Sequence, residues 1–439
     1  MSEGWQKILS RAGGKPVAVL GGGRSGQAAG LLLRKKGLET ILYDEDTGAG
    51  RAEFSVTGHE LFVSSPGFRP DHPWVRRIEQ AGKLLLGEIS LAAQCWPGRL
   101  LAVTGTNGKS TLTEFLTALL QAAGKQATAV GNIGLPFAEV AARETVSVNH
   151  WAVCEVSSFQ AASLQGFHPE VVFWTNFAPD HLAWHGSEEA YFAAKWRLVQ
   201  NTLAGGGRGY AGTSVLAALE KMNGRDRLPC ALKLVEAESA SAPTESLFAR
   251  PPQNENYALA AAWWKEEGEE EEVLQKTAQN FLPLPHRLEF LGECGGIRFW
   301  DDSKATNFAA VEAALEGFAD PVLWIGGGQD KGDCVAELVK RIYKKVKVAA
   351  LLGETSSRLA KSFAETGVSV QECAGMDDAV RFCLSLADSG DHLILSPGFA
   401  SQDQYQGFAA RGKAFRGALA NQLSNENYKR MNPPTPNHS

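Results

Sequence analysis

The stretch Leu100-Leu101-Ala102-Val103-Thr104-Gly105-Thr106-Asn107-Gly108-Lys109-Ser110-Thr111 restricts this chain more than any other. Apolar, strand-like residues run into a glycine-punctuated turn and then into Lys-Ser-Thr. A helical pattern follows, with Leu112, Phe115, Leu116, Leu119 and Leu120 on one side and Gly124 as its stop. Strand, glycine loop and helix start together make a phosphate cradle, because the glycines let backbone N–H groups turn toward an anion. Lys109 is expected to reach the β- and γ-phosphates of a nucleotide, and Ser110 to offer its hydroxyl to Mg²⁺. Val103 stands where the longer form of the motif has glycine, so this is the shorter T-G-T-N-G-K-S/T form. A glycine-rich turn before an ordinary helix is the alternative.

With 439 residues, the chain has room for two or three domains. A net charge of −6 gives no electrostatic case for nucleic acid or an anionic membrane as partner. The seven cysteines are scattered, without a Cys-x-x-Cys pair, which suits reduced thiols in the cytoplasm. Met1 to Arg11 lacks the apolar core of a secretion signal, and no apolar run reaches about eighteen residues, so no membrane insertion is expected.

Upstream, Val17-Ala18-Val19-Leu20 reads as a buried strand. Gly21, Gly23 and Gly26 then fit G-x-G-x-x-G, an Ala/Leu-rich helix runs to Gly37, and Thr40 to Tyr43 makes a second strand ending at Asp44. That acid lies about twenty positions past the glycines, where a ribose-binding carboxylate is expected. A nicotinamide dinucleotide site is the default reading, and a turn without ligand the plain one. The unit is complete by Leu84-Leu85-Leu86-Gly87-Glu88, after a further strand at Phe62-Val63-Ser64-Ser65-Pro66-Gly67, and this length suits half a dinucleotide fold.

Beyond Trp96-Pro97-Gly98, apolar strands end in polar residues. Trp151 to Cys154 leads to Glu155 and Ser157-Ser158-Phe159-Gln160; Val171 to Trp174 leads to Thr175-Asn176, with Asp180-His181 following. A helix carries Lys195. The stretch from about Gly205 to Pro252 is poorly periodic, and the acidic run Glu266 to Glu272 reads as a solvated loop or helix end. From near Leu284, strands at Val322–Ile325, Val346–Leu352, Val368–Gln371 and His392–Leu395 alternate with helical patterns, as in a parallel sheet. The expected fold is α/β in three domains: a Rossmann-like half (1–91), a central P-loop-type mononucleotide-binding domain (92–283) and a Rossmann-like α/β domain (284–439), whose tail from about 424 is expected to be disordered.

Taken together, the motifs resemble the Mur ligases, ATP-dependent amino-acid ligases of peptidoglycan precursor synthesis. The matching segments are T-G-T-N-G-K-S-T (104–111), G-N-I-G (131–134), E-V-S-S-F-Q (155–160), D-H-L (180–182), A-K-W-R (194–197), P-H-R (285–287) and D-S-K-A-T-N (302–307). G-G-G-Q-D-K-G (326–332) and L-S-P-G-F-A-S-Q-D-Q-Y-Q-G-F (395–408) resemble the branch that adds D-glutamate. Two segments depart from the family pattern. Ser-Pro-Gly-Phe-Ala-Ser replaces the more usual Ser-Pro-Ala-x-Ala-Ser. Pro252-Gln253-Asn254-Glu255-Asn256-Tyr257 lacks the His of Gly-x-His-Asn-x-x-Asn and is one residue short.

The resemblance implies that a substrate carboxylate takes the γ-phosphoryl group of ATP and that an amine then displaces phosphate from the acyl phosphate. Its substrates would be UDP-N-acetylmuramoyl-L-alanine and D-glutamate, handled by a monomer. It implies ATP contacts at Gly105, Thr106, Asn107, Gly108, Lys109, Ser110 and Thr111, with Asn256, or Asn254 close behind it, at adenine. Arg287 would face phosphate, Asp302 the ribose and Lys304 the reaction centre. Two Mg²⁺ ions would be held by Ser110, Glu155, His181 and a CO₂-derived carbamate on Lys195, since hard Mg²⁺ needs oxygen ligands rather than an ammonium. Without the resemblance, His181 reads as a structural histidine and Lys195 as a surface ion-pair partner. Gly21, Gly23, Gly26, Asp44, Glu45, Ser65 and Asn132 would hold the UDP-linked substrate, and Lys331, Thr306, Ser401 and Phe408 the D-glutamate. An L-alanine-adding relative, a nicotinamide-dependent oxidoreductase and a non-catalytic nucleotide-binding regulator are the competing readings. The oxidoreductase leaves Lys109, Glu155 and Lys304 without a role.

Overall fold

The computed structural model describes residues 3–45, 53–143, 146–223, 229–282, 285–330 and 334–423. Lys331 and the tail from 424, both singled out above, lie outside the described residues. The chain is α/β throughout and builds three sheets. It falls into two compact units, one of residues 1–249 with 253–281, the other of 250–252 with the chain from 282 on.

The first unit carries two sheets. Strands β1 (Val17–Leu20), β2 (Thr40–Tyr43), β3 (Leu61–Ser64) and β4 (Leu84–Gly87) pair in parallel in the order β2-β1-β3-β4. The central sheet holds β5 (Arg99–Thr104), β6 (Ala127–Gly131), β7 (Trp151–Glu155), β8 (Val171–Trp174), β9 (Arg208–Gly212) and β10 (Leu232–Val235). Its order is β10-β9-β8-β5-β7-β6, all parallel. Strands β5, β7 and β8 are buried on both faces, which is why they read as unbroken apolar runs. The chain leaves β5 to one side for β6 and β7 and then crosses to β8 on the other. The crevice beyond the C-terminal ends of β5 and β8 is therefore a switch point, where open α/β sheets bind ligands.

The helix Lys109–Ala122 buries Leu112, Phe115, Leu116, Leu119 and Leu120 on one face of the central sheet, with Phe248, Tyr257, Trp263 and Trp264. Each such side chain contributes about 1.5–3 kcal/mol when fully buried. The opposite face shares a continuous core with the first sheet, joining Trp5, Ile8, Leu32 and Ile89 to Phe137, Val140 and Trp174. That shared core makes one unit of two sheets.

The second unit is a six-stranded sheet of β11 (Glu289–Cys294), β12 (Ile297–Asp301), β13 (Val322–Gly327), β14 (Val346–Leu352), β15 (Ser369–Glu372) and β16 (His392–Leu395). The order is β11-β12-β16-β13-β14-β15, parallel except for the β11–β12 hairpin at one edge. The segment 205–252, poorly periodic in sequence, contains β9, β10 and a helix at Thr213–Asn223. The acidic run ends one helix at Glu266 and starts the next at Glu271.

Candidate active site

The loop after β5 takes a shape that only glycine permits at two positions. Gly105 has φ +148°, and a Cβ there would lie 1.9 Å from Thr175 Oγ1. Gly108 has φ +77°, caps the following helix, and faces the Asn256 amide at 3.0 Å from a built Cβ. The end of β8 holds the loop in place. Asn107 N–H donates to Asn176 Oδ1 at 2.9 Å, Thr175 Oγ1 donates to Asn107 O at 2.6 Å, and Thr106 N–H donates to Asn176 O at 3.1 Å. Ser110 and Thr111 are buried at the helix start. Lys109 Nζ folds back onto the Gly105 and Thr106 carbonyls, at 3.0 and 2.8 Å.

Glu155 ends β7, beside the loop, and is 1% exposed. Its Oε1 accepts from Asn132 Nδ2 at 2.6 Å, whereas Oε2 is buried without a hydrogen-bond partner. An unmatched carboxylate oxygen in the interior is costly unless something cationic completes it. Lys195, also 1% exposed, points its Nζ at the Gly105 carbonyl, 2.6 Å away, with the Tyr191 ring centroid at 4.7 Å. Burial first, and then the charge of Lys109, hold its amine well below the ordinary lysine range, while Asp180 and Glu155 pull the other way. Lys195 is thus a core residue and not a surface ion-pair partner. Tyr191 lies with its hydroxyl 3.1 Å from Thr106 Oγ1.

His181 caps the short helix Leu182–His185 at φ +54°, with its ring 4.7 Å from that of Phe159 and Nε2 3.5 Å from Asp180 Oδ2. Next to it, His185 bonds Ser158 Oγ at 3.0 Å; burial, then His181 and Lys195, push its pKa down to about 4. Asn256 reaches the Gly108 carbonyl at 3.4 Å and Gln253 Oε1 at 2.8 Å. Asn254 Oδ1 is buried with no hydrogen-bond partner.

In the first sheet, Gly21 has φ +93° and Gly26 sits so close to the Gly21 carbonyl that a Cβ would lie 1.8 Å from it. Gly23 caps the Arg24–Lys35 helix, and Asp44 Oδ2 accepts from Gly22 N–H at 2.6 Å, closing the turn. Glu45 pairs with His72 at 2.8 Å. Ser65 Oγ, beside Gly21 and Gly26, is buried without a hydrogen-bond partner. A cavity of ≈ 350 Å³ opens next to it, lined by Ser65, Glu88, Gln160, Trp184 and Arg197 among others.

Among the described residues, those predicted in the second unit gather around the ends of β12 and β16. Asp302 Oδ1 accepts from Leu288 N–H at 3.0 Å and Oδ2 from Ser396 Oγ at 2.8 Å; burial pushes its carboxyl up to about 7. These bonds tie the loop carrying Arg287 to both strands. Lys304 Nζ stands 3.9 Å from the Phe408 ring centroid. Arg411, buried, donates to the Ser303, Phe399 and Ala400 carbonyls and so fixes the backbone around Lys304 and Ser401. Thr306 is half-buried on the same turn. His286, Glu289 and Asp301 converge as well, with Arg416 bonded to Glu289 at 2.5 Å and 3.4 Å from Asp301.

Sequence reasoning gave no role to Asp180, Tyr191, Asn176 or Arg411. Asn176 and Asp180 were marked only as polar residues past a strand end, and Tyr191 and Arg411 only by the A-K-W-R and late motifs beside them.

A P-loop at a parallel-sheet switch point, with a buried lysine and a half-satisfied carboxylate beside it, defines a nucleotide-dependent P-loop enzyme. The model of the Mur ligase middle domain matches residues 103–220, and that of the Mur ligase glutamate ligase domain matches residues 286–399. The UDP-N-acetylmuramoylalanine–D-glutamate ligase of Leuconostoc mesenteroides is 30% identical over 93% of this chain and 98% of its own. That of Shouchella clausii is 32% identical over 92% and 96%. Among solved structures, the UDP-N-acetylmuramate-alanine ligase MurC of Thermotoga maritima has a TM-score of 0.60 at 15% identity, covering 93% of this chain and 100% of that one. MurF ligase of the same organism, in complex with ADP, also has a TM-score of 0.60, at 14% identity over 93% and 95%. The chain belongs to the Mur ligase family.

Proposed function

We propose that this protein joins D-glutamate to UDP-N-acetylmuramoyl-L-alanine with hydrolysis of ATP to ADP and phosphate, in peptidoglycan precursor synthesis. Relatives of about the same length carry that name at 30–32% identity. The observation that carries the chemistry is the glycine loop with the unmatched Glu155 oxygen and the buried Lys195 amine beside it. The substrate carboxylate attacks the γ-phosphorus, ADP leaves, and the D-glutamate amine attacks the acyl carbon and expels phosphate. Positioning and charge neutralisation supply most of the rate in such a transfer.

The loop N–H groups and Lys109 bind the phosphates. The donor set fits Mg²⁺: Ser110 and the free Glu155 oxygen for one ion, His181 and the Lys195 carbamate for a second. Bound there, the metal would neutralise charge developing on the transferred group. Lowering the pKa of a lysine amine enlarges its uncharged fraction, and only the uncharged form has the lone pair that adds to CO₂, releasing a proton. Asn254, whose Oδ1 lacks a partner, is the stronger candidate for the adenine amino group, because Asn256 is already engaged with the loop.

Ser65, the Gly21–Gly26 turn and Asp44 are assigned to the UDP portion, with Asn132 near its far end. Thr306, Ser401, Phe408 and Lys331 are assigned to D-glutamate, and Arg287, Asp302 and Lys304 to nucleotide and reaction centre. The enzyme acts as a cytoplasmic monomer; no described helix is long and apolar enough to cross a membrane. Phosphate release measured with each amino acid in turn tests the reading. D-glutamate should give turnover, and L-alanine should not. Turnover with L-alanine and none with D-glutamate would move the chain to the L-alanine-adding branch.

A further inference from the structure

Glu88 follows β4 directly, is 3% exposed and stands in the wall of the cavity beside Ser65, yet none of the assignments above gives it a role. Its Oε1 accepts from Ala138 N–H at 2.6 Å, while Oε2 is buried without a hydrogen-bond partner. Burial pushes the carboxyl up to about 7, against the pull of the Ala138 and Phe137 N–H groups. Those N–H groups open the helix Phe137–Ala141, whose own N-cap is Pro136, with no side chain able to serve. The missing cap therefore comes from the strand-to-helix junction of the first sheet.

Directly before that helix runs the Gly131–Leu135 loop, and it is fastened to Glu155. Asn132 N–H donates to the Glu155 carbonyl at 2.9 Å, and Asn132 Nδ2 donates to Glu155 Oε1 at 2.6 Å. Gly131 N–H closes the loop on the Leu135 carbonyl at 3.1 Å. There is no slack, since a Cβ on Gly131 would lie 2.4 Å from the Glu155 carbonyl and one on Gly134 2.7 Å from that of Ala129. The Cys154 thiol feels both acids: after burial, Glu88 and Glu155 raise its pKa further. One carboxylate thus pins the far end of a loop whose near end orients the other.

We propose that Glu88 is a positioning residue of the ligase, fixing the Gly131–Leu135 loop so that Asn132 holds Glu155 Oε1 and leaves Oε2 for the metal. The inference rests on the assignment of Glu155 to Mg²⁺. A side chain that only caps a helix would affect stability alone; one that acts through Asn132 affects metal affinity. Partners of metal ligands typically contribute about 10–100-fold to affinity.

The test uses the whole chain with Mn²⁺ as probe, its binding in the presence of ADP followed by electron paramagnetic resonance. Glu88→Ala should weaken Mn²⁺ binding about tenfold, and Asn132→Ala by the same order. The double variant should bind no more weakly than Asn132→Ala, because both act on one link. Glu88→Gln keeps an acceptor for Ala138 and should recover to within about threefold of the parent. Should Glu88→Ala fail to fold, Glu88→Met, similar in length but without an acceptor, takes its place. Parental Mn²⁺ affinity in a folded Glu88→Ala or Glu88→Met variant, or single losses that add in the double, would overturn the proposal. Unchanged Mn²⁺ binding in Glu155→Gln would instead remove the metal assignment itself, and this inference with it.

Discussion

Lys195 is an amine with little reason to be where it is unless its chemistry changes. Buried and close to the charge of Lys109, with its Nζ held to the Gly105 carbonyl, it would be a costly cation in the interior. Lys195→Ala should lower turnover by about a hundredfold or more, as loss of a charge-stabilising group in such a site does. A short carboxylic acid in the buffer should partly restore it, since the metal lacks anionic oxygen. Rescue by amines and not acids would show an ammonium at work, and parental turnover would return Lys195 to a bland role. The pH dependence of stability has a definite sign. With the folded pKa depressed, the unfolded chain holds more protons up to the ordinary lysine value near about 10.4, so this residue's penalty shrinks as pH rises toward it. In CO₂-free buffer, Lys195→Met should therefore melt at or above the parent at pH 7, with a flatter rise of Tm at higher pH. Asp302 carries the opposite sign. Its carboxyl is raised to about 7, so its contribution is full below the unfolded value of about 4 and is lost as pH rises through about 7. Thermal melts of Asp302→Asn should show a smaller fall in Tm over that window than the parent. An identical profile would place the sensitivity elsewhere.

Among the elements, the strand–loop–helix at Arg99–Ala122 carries most of the constraint. Gly105→Ala, at φ +148° and 1.9 Å from Thr175 Oγ1, should destabilise by about 2–3 kcal/mol and abolish ADP binding, read by melting and calorimetry. Gly23→Ala, with no atom within 4 Å of its Cβ and φ −70°, should lose only glycine's N-cap preference over alanine, about 1 kcal/mol or less. Equal losses would mean that the loop tolerates more than its geometry allows. The contrast also explains what the sequence made legible. Strands β1, β8, β14 and β16 coincide with their apolar runs, because strands in covered parallel sheets are apolar without alternation. Strands β9 and β10 were not legible: Arg-Gly-Tyr-Ala-Gly is glycine-rich, and Leu-Lys-Leu-Val is short and half exposed at a sheet edge. The β11–β12 hairpin was missed because exposed Glu293 and Arg298 break its apolar runs at the edge of the third sheet. At the site, Lys109 and Glu155 could be read because each ends a recognisable element. The burial of Lys195, the grip of Asn132 on Glu155, and the difference between Asn254 and Asn256 could not, since each depends on a partner distant in sequence.

At the scale of the whole molecule, the first and central sheets share one core, so the turn at Gly21 to Gly26 and the P-loop belong to a single compact unit. The third sheet forms a unit with its own two-sided core, and its polar loops cluster where β12, β13 and β16 end. Under the proposed assignments, the nucleotide-linked acid belongs to the first unit and the amino acid to the second. The account stands on the claim that the acid is activated by phosphorylation before the amine arrives. UDP-N-acetylmuramoyl-L-alanine labelled with ¹⁸O in its carboxylate, incubated with ATP, Mg²⁺ and D-glutamate, tests this most directly through the mass spectrum of the phosphate released. One labelled oxygen per phosphate, appearing in step with the D-glutamyl product, is the expected result. Product formed with unlabelled phosphate would contradict the account.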